Sequence, residues 1–169
     1  MERDQFWQLI KESREDVEGC EEQAEKLTAL LADLEPEEII EFDIQFDNRL
    51  AETLRRDLWA VAYIVNGGCS DDGFVYFCCW LIGQGQEYFE AALKDPERAA
   101  DNAEPESYDN ECEDLMYCAM KAYEAKTGHA EMPLESSSEP TQYVPKGKNW
   151  TEEDLPKLFP QLCKKFGYE

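Results

Sequence analysis

Basic residues are scarce in this chain and histidine is almost missing: 16 Lys and Arg stand against 39 Asp and Glu, and the single histidine is His129. The formal net charge of -23 repels phosphate backbones and anionic lipid headgroups, so nucleic acid and membrane surfaces are excluded as expected partners. A basic partner protein is what such a charge favours. With one histidine the usual general base is nearly absent, and the chain has no GxSxG, no phosphate loop and no HExxH. No catalytic residue and no cofactor are therefore assigned from the sequence. Apolar runs are short, far below the roughly 20 residues that span a bilayer. The opening "MERDQFWQLIKESRED" carries charges where a signal peptide needs an apolar stretch, and the expectation is a cytoplasmic protein.

Regular cysteine spacing is also lacking. The seven cysteines lie at 20, 69, 78, 79, 112, 118 and 163, an odd number without the CxxC pairs of a zinc site. Neighbouring side chains on a helix diverge by about 100°, so Cys78 and Cys79 do not bridge each other. We therefore expect no disulfide, no bound metal, and thiols that serve as small apolar side chains.

No segment alternates with period two, whereas helical spacing recurs along the whole chain, and the prediction is an all-α fold of about seven or eight helices. After Asp4, read as an N-cap, Phe6, Trp7, Leu9 and Ile10 form one stripe. Ala24, Leu27, Leu30, Leu31 and Leu34 form a second, ending at Glu35-Pro36. The clearest run is Ile39, Phe42, Phe46, Leu50, Leu54 and Leu58. It continues to Gly67, long for one globular helix, so a break is expected near Arg55 to Asp57. Residues 127–149, rich in Ser, Pro, Glu and Gly, read as an exposed loop, and 150–169 as a short C-terminal helical segment folding back on a single domain spanning 1–169. The predicted core centres on Phe42, Phe46, Leu50, Leu54, Leu58, Phe74, Phe77 and Leu81.

The stretch "NGGCSDDGFVYFCCWLIGQGQEYF", Asn66 to Phe89, combines a helix stop, a cap and a new apolar helix. Gly67 and Gly68 can take positive φ, Ser70 or Asp71 can cap, and acids suit the first turn, where the macrodipole favours them. Asp71 and Asp72 can alternatively act as acid and base or hold a divalent cation. Around them Trp59, Tyr63, Asn66, Trp80 and Gln84 are the polar and aromatic side chains that capping does not explain, and the seven together form the candidate binding groove.

"FWQLI", "DLWAVAYIVNGGCSDDGFVYFCCWLIGQGQEYFEAAL", "AYEAKTG" and "WTEEDLPKLFPQLCKKFG", in that order, resemble the bacterial family called domain of unknown function 4240. Members commonly carry "RGW" where this chain has Cys78, Cys79 and Trp80. The resemblance implies a fold unit reaching the last helix and no particular chemistry. Two functions follow as expectations: a non-enzymatic protein-binding module, or a small-molecule-binding protein or enzyme using the groove at NGGCSDDGF. The sequence sets no oligomeric state.

Overall fold

Proline, glycine and capping residues punctuate the apolar stripes into short helices. The structure, a computed structural model, describes residues 1–105, 107, 110–133 and 143–168. In chain order the α-helices are α1 (Arg3–Ser13), α2 (Gly19–Ala32), α3 (Pro36–Thr53), α4 (Arg56–Val65), α5 (Asp71–Gly83), α6 (Gln86–Lys94), α7 (Cys118–Thr127), α8 (Leu155–Leu158) and α9 (Pro160–Phe166). Single 3₁₀ turns lie at Pro96–Ala100, Glu113–Tyr117 and Glu152–Asp154. Among the described residues these nine helices are accompanied by no strand, only one isolated backbone bridge between Arg55 and Lys146. The expected seven or eight becomes nine because Pro160 splits the C-terminal segment into two short helices.

Two starts follow the sequence closely and one does not. At α3, Pro36 occupies the first turn and the Glu38 carboxylate accepts from the Glu35 N–H at 3.1 Å. At the third 3₁₀ turn the Asp154 carboxylate accepts from the Thr151 N–H at 2.9 Å, the expected capping box. Helix α1, however, begins one residue before Asp4 with Glu2 at the N-cap, so Asp4 sits within the first turn instead of capping it.

The long apolar run breaks between α3 and α4, at Leu54–Arg55. Backbone groups freed there are used by a distant segment. The Arg56 N–H donates to the Lys146 carbonyl at 2.8 Å, the Lys146 N–H to the Leu54 carbonyl at 2.9 Å, and Trp150 Nε1–H to the Arg56 carbonyl at 2.6 Å. Thus the 143–149 end of the expected loop is hydrogen-bonded to the helix break, while 134–142 lies outside the described residues.

All eight predicted core residues are buried, in one cluster with Phe6, Ile10, Leu27, Leu31 and Phe89. Phe6 meets Phe42 at 4.9 Å between ring centroids, and Trp7 meets Phe89 at 5.1 Å, which ties α1 to both α3 and α6. Helices α2 and α3 pack on α7, and α4 on α9. Cys78 and Cys79 lie wholly inside, and burial pushes both thiols well above their usual value. They are small core side chains.

One carboxyl in α3 opposes this packing. Asp43 is pushed up to about 7, first by burial and then by the charge of Asp47 four residues on. A carboxyl raised above its unfolded value, roughly 3.9, stabilises the fold below that value and loses the contribution as pH rises through the folded value. Stability is therefore expected to fall between about pH 4 and pH 7, and Asp43→Asn to flatten that fall. Thermal melts of both proteins across this range test it; parallel curves would refute it.

Candidate functional site

Gly67 (φ 65°) and Gly68 (φ 131°) turn the chain after α4, at conformations that residues with a Cβ rarely adopt. Ser70 then takes extended backbone and its Oγ accepts from the Gly73 N–H at 3.1 Å. Asp71 and Asp72 follow in the first turn of α5, both exposed. Motif chemistry at this point is that of a helix junction. Ser70→Ala is expected to cost about 1 kcal/mol, read by urea denaturation, and an unchanged midpoint would show that the hydroxyl does not cap.

The seven candidate groove residues do not share one surface. Asp71 stands at one end of α5 and Gln84 caps the other, about 20 Å away at 1.5 Å per residue. At the first end Trp59 stacks on Phe74 (centroids 5.4 Å apart, planes at 10°) and its Nε1–H donates to the Cys69 carbonyl at 3.0 Å. Tyr63 donates to Glu152 Oε1 at 2.7 Å, which pushes the phenol up to about 12. Trp150 and Tyr168 pack edge-on against Tyr63, and Trp150 also against Trp59. The chain's own C-terminal segment therefore lies where the sequence suggests an open groove. Burial pushes the nearby Cys69 thiol up to about 12, so it is no thiolate nucleophile.

Asn66 turns elsewhere, to the segment before the second 3₁₀ turn. It accepts from Asn110 Nδ2–H at 3.0 Å and donates to Glu111 Oε1 at 3.4 Å. At the far end of α5, Trp80 is 8% exposed and edge-on to Tyr88. Trp80 and Gln84 line a cavity of about 130 Å³ together with Arg14 and the pair Cys20 and Cys112.

That pair overturns the expectation of a chain without disulfides. Cys20 and Cys112 are bonded, with Cα atoms 5.5 Å apart and a sequence separation of 92. The bond forms because the first turn of α2 packs beside the segment at 110–114, itself fixed when the Cys112 N–H donates to the Tyr76 carbonyl at 2.9 Å. Spacing along the chain carries no trace of this encounter. Cys69, Cys78, Cys79, Cys118 and Cys163 remain free thiols.

Cys20 of the bridge also lines a feature that the sequence reading missed. A groove of about 530 Å³ is lined by Glu18, Glu21, Glu111, Glu113 and Asp114, with Tyr76, Gly19 and Cys20 between them. Among the described residues no Lys or Arg lines it. Glu113 accepts from Tyr117 Oη–H at 2.8 Å. Burial pushes the Glu111 carboxyl above its ordinary value. Among the described residues no three His, Cys, Asp or Glu side chains are grouped as a metal site. Acids spread along a groove in this way suit an extended cationic chain better than a single ion. The available sequence signal was faint: Glu18 with Glu21 and Glu111 with Glu113 flank two cysteines at 20 and 112.

Comparison with known proteins gives one result. The sequence model of a family described as Protein of unknown function (DUF4240) matches residues 1–125. The block at 150–167 that also prompted the resemblance lies beyond that match. No curated protein and no solved structure matches the chain. Among the described residues no helix is long and apolar enough to cross a membrane.

Proposed function

The chain belongs to the DUF4240 family, and for this member of it we propose a non-enzymatic binding module that docks a Lys/Arg-rich segment of a partner protein. The observation that carries the reading is the groove beside the disulfide, with five carboxylates and no basic residue among its described lining. A lysine- or arginine-bearing chain laid there gains ion pairs, and among the described residues only Asp114 of the five already has one, an exposed contact with Lys121 Nζ at 3.9 Å. Tyr76, which also lines the groove, adds an aromatic side chain suited to the same cations. The net charge of -23 speeds encounter with a basic surface. The alternative, a ligand or catalytic site around Asp71 and Asp72, finds less support because both acids are exposed at a helix start and the aromatic residues behind them are covered.

The cytoplasmic placement expected from the sequence meets a condition in the Cys20–Cys112 bridge. Disulfides persist in oxidising compartments and are reduced by the cytosolic thiol pool unless strongly protected. In the cytoplasm the groove would exist in bridged and open forms.

Calorimetric titration with a synthetic Lys/Arg-rich peptide tests the proposal. Binding is expected to weaken steeply as salt rises and the Debye length falls from about 10 Å to about 3 Å. The triple variant Glu111→Gln, Glu113→Gln, Asp114→Asn should bind several-fold more weakly at low salt. Equal binding by a variant with three exposed acids neutralised elsewhere, such as Glu25, Glu37 and Glu41, would reduce the effect to net charge and overturn the groove assignment.

A further inference from the structure

A second concavity, sharing no lining residue with the acidic groove, takes a different chemistry. It is a cleft of about 930 Å³ between α1, the α5–α6 junction and the 3₁₀ turn at Pro96–Ala100. Arg14 stands in it. The guanidinium donates to the backbone carbonyl of Gln84 and, at 3.2 Å, to Gln84 Oε1. A guanidinium has five N–H donors, so three remain. In a chain with 39 acids, Arg14 forms no ion pair with a described carboxylate. The ammonium of Lys11, one turn back on α1 and lining the same cleft, has neither hydrogen bond nor ion pair among the described residues.

Further donors meet at this end. Helix α6, of nine residues, starts here at Gly85 (φ 94°), which supplies no side-chain cap, and Gln86 and Glu87 of its first turn line the cleft. Trp7, 4% exposed and also part of the lining, has its indole N–H buried without an acceptor. The acceptor side is already organised: Asn102 Nδ2–H donates to Gln84 Oε1 at 3.3 Å, the Asn102 N–H donates to Tyr88 Oη at 2.9 Å, and Tyr88 Oη–H to the Ala99 carbonyl at 2.9 Å. Gln84 is thereby held where it orients Arg14.

Capping of the α5 C-terminus explains two of the donors of Arg14. It explains neither the unpaired Lys11, nor the uncapped start of α6, nor the space between them. We propose that this cleft binds a small molecule through a carboxylate, held by the planar fork of Arg14, with Lys11 and the first amides of α6 supplying further positive potential. A carboxylate fits better than a phosphate because Asp4, Glu15 and Glu87 also line the cleft and repel a doubly charged anion, while Asp101 already holds Arg98 at 2.5 Å. The apolar surface of Trp7, Tyr88 and Ala91 suits a ligand with an aromatic body.

Benzoate, benzamide and inorganic phosphate, each titrated into the full chain at constant ionic strength and followed by amide NMR, form the test. Benzoate is expected to saturate, moving the Gln86 and Glu87 amides and the Arg14 Nε–H, and to bind about tenfold or more tightly than benzamide, the worth of one charge-assisted hydrogen bond. Arg14→Gln should abolish the preference for benzoate. Lys11→Gln, an exposed change that touches no packing, should weaken benzoate several-fold with an unchanged melting temperature. Benzoate binding no tighter than benzamide, shifts that never saturate, or phosphate binding more tightly than benzoate would each overturn the assignment and leave Arg14 as a helix cap alone.

Discussion

Reduction of the Cys20–Cys112 bridge, or Cys112→Ser, is expected to lower stability by about 4 to 5 kcal/mol. The bond closes a loop across a sequence separation of 92 residues, and in the chain-entropy account most of the effect is freedom returned to the unfolded ensemble. The folded state loses little, because Cys112 stays anchored through its N–H to the Tyr76 carbonyl and Cys20 through the packing of α2 on α1 and α7. Urea denaturation with and without reductant measures it. Cys112→Ser should be insensitive to reductant and match reduced wild type. Oxidised wild type no more stable than Cys112→Ser would show that the bond does not form in solution. The change also reaches the proposed docking surface, since Glu111 and Glu113 flank Cys112 and Glu21 follows Cys20. Reduced protein should bind the Lys/Arg-rich peptide more weakly at equal net charge.

Phe77→Ala is expected to cost about 3 to 5 kcal/mol. Phe77 is fully buried at the centre of α5, its ring 5.4 Å from that of Trp80 and tilted by 33°. Removing the ring leaves a void that surrounding helices close only in part, so the loss exceeds simple transfer of the apolar area. Native domains are typically stable by about 5 to 15 kcal/mol, which places this variant near the margin of folding. Leu54→Ala, at the α3–α4 break, should cost roughly 2 to 5 kcal/mol. Denaturant midpoints decide both, and a loss below about 1 kcal/mol for Phe77→Ala would contradict the packing described. Because Phe77 supports Trp80, the variant should also loosen the small cavity between Trp80, Gln84 and the disulfide.

What could be read along the chain was whatever depends on residues a few positions apart. The all-α class, the eight core positions, the break near Arg55, the positive φ at Gly67 and Gly68 and the Ser70 cap all follow from helical periodicity and turn chemistry, which act within one or two turns. The count of helices and the start of α1 differed because proline and capping choices at such boundaries are finely balanced.

Pairing across long separations was decided by packing alone. Trp59 and Tyr63 resemble groove residues in sequence, yet the C-terminal segment returns to lay Trp150 against both and Tyr168 against Tyr63. Cys20 finds Cys112 because α2 lies beside the 110–114 segment, and the same contact gathers acids from two distant stretches into one groove. Arg14, a lone cation in "ESREDVEGC", looks like one more surface charge until α1 is set against the α5–α6 junction and its partners prove to be neutral oxygens of Gln84. Local sequence determines which faces of each helix are apolar. Which polar side chains then meet depends on how those faces dock, a property of the whole core that no short window contains.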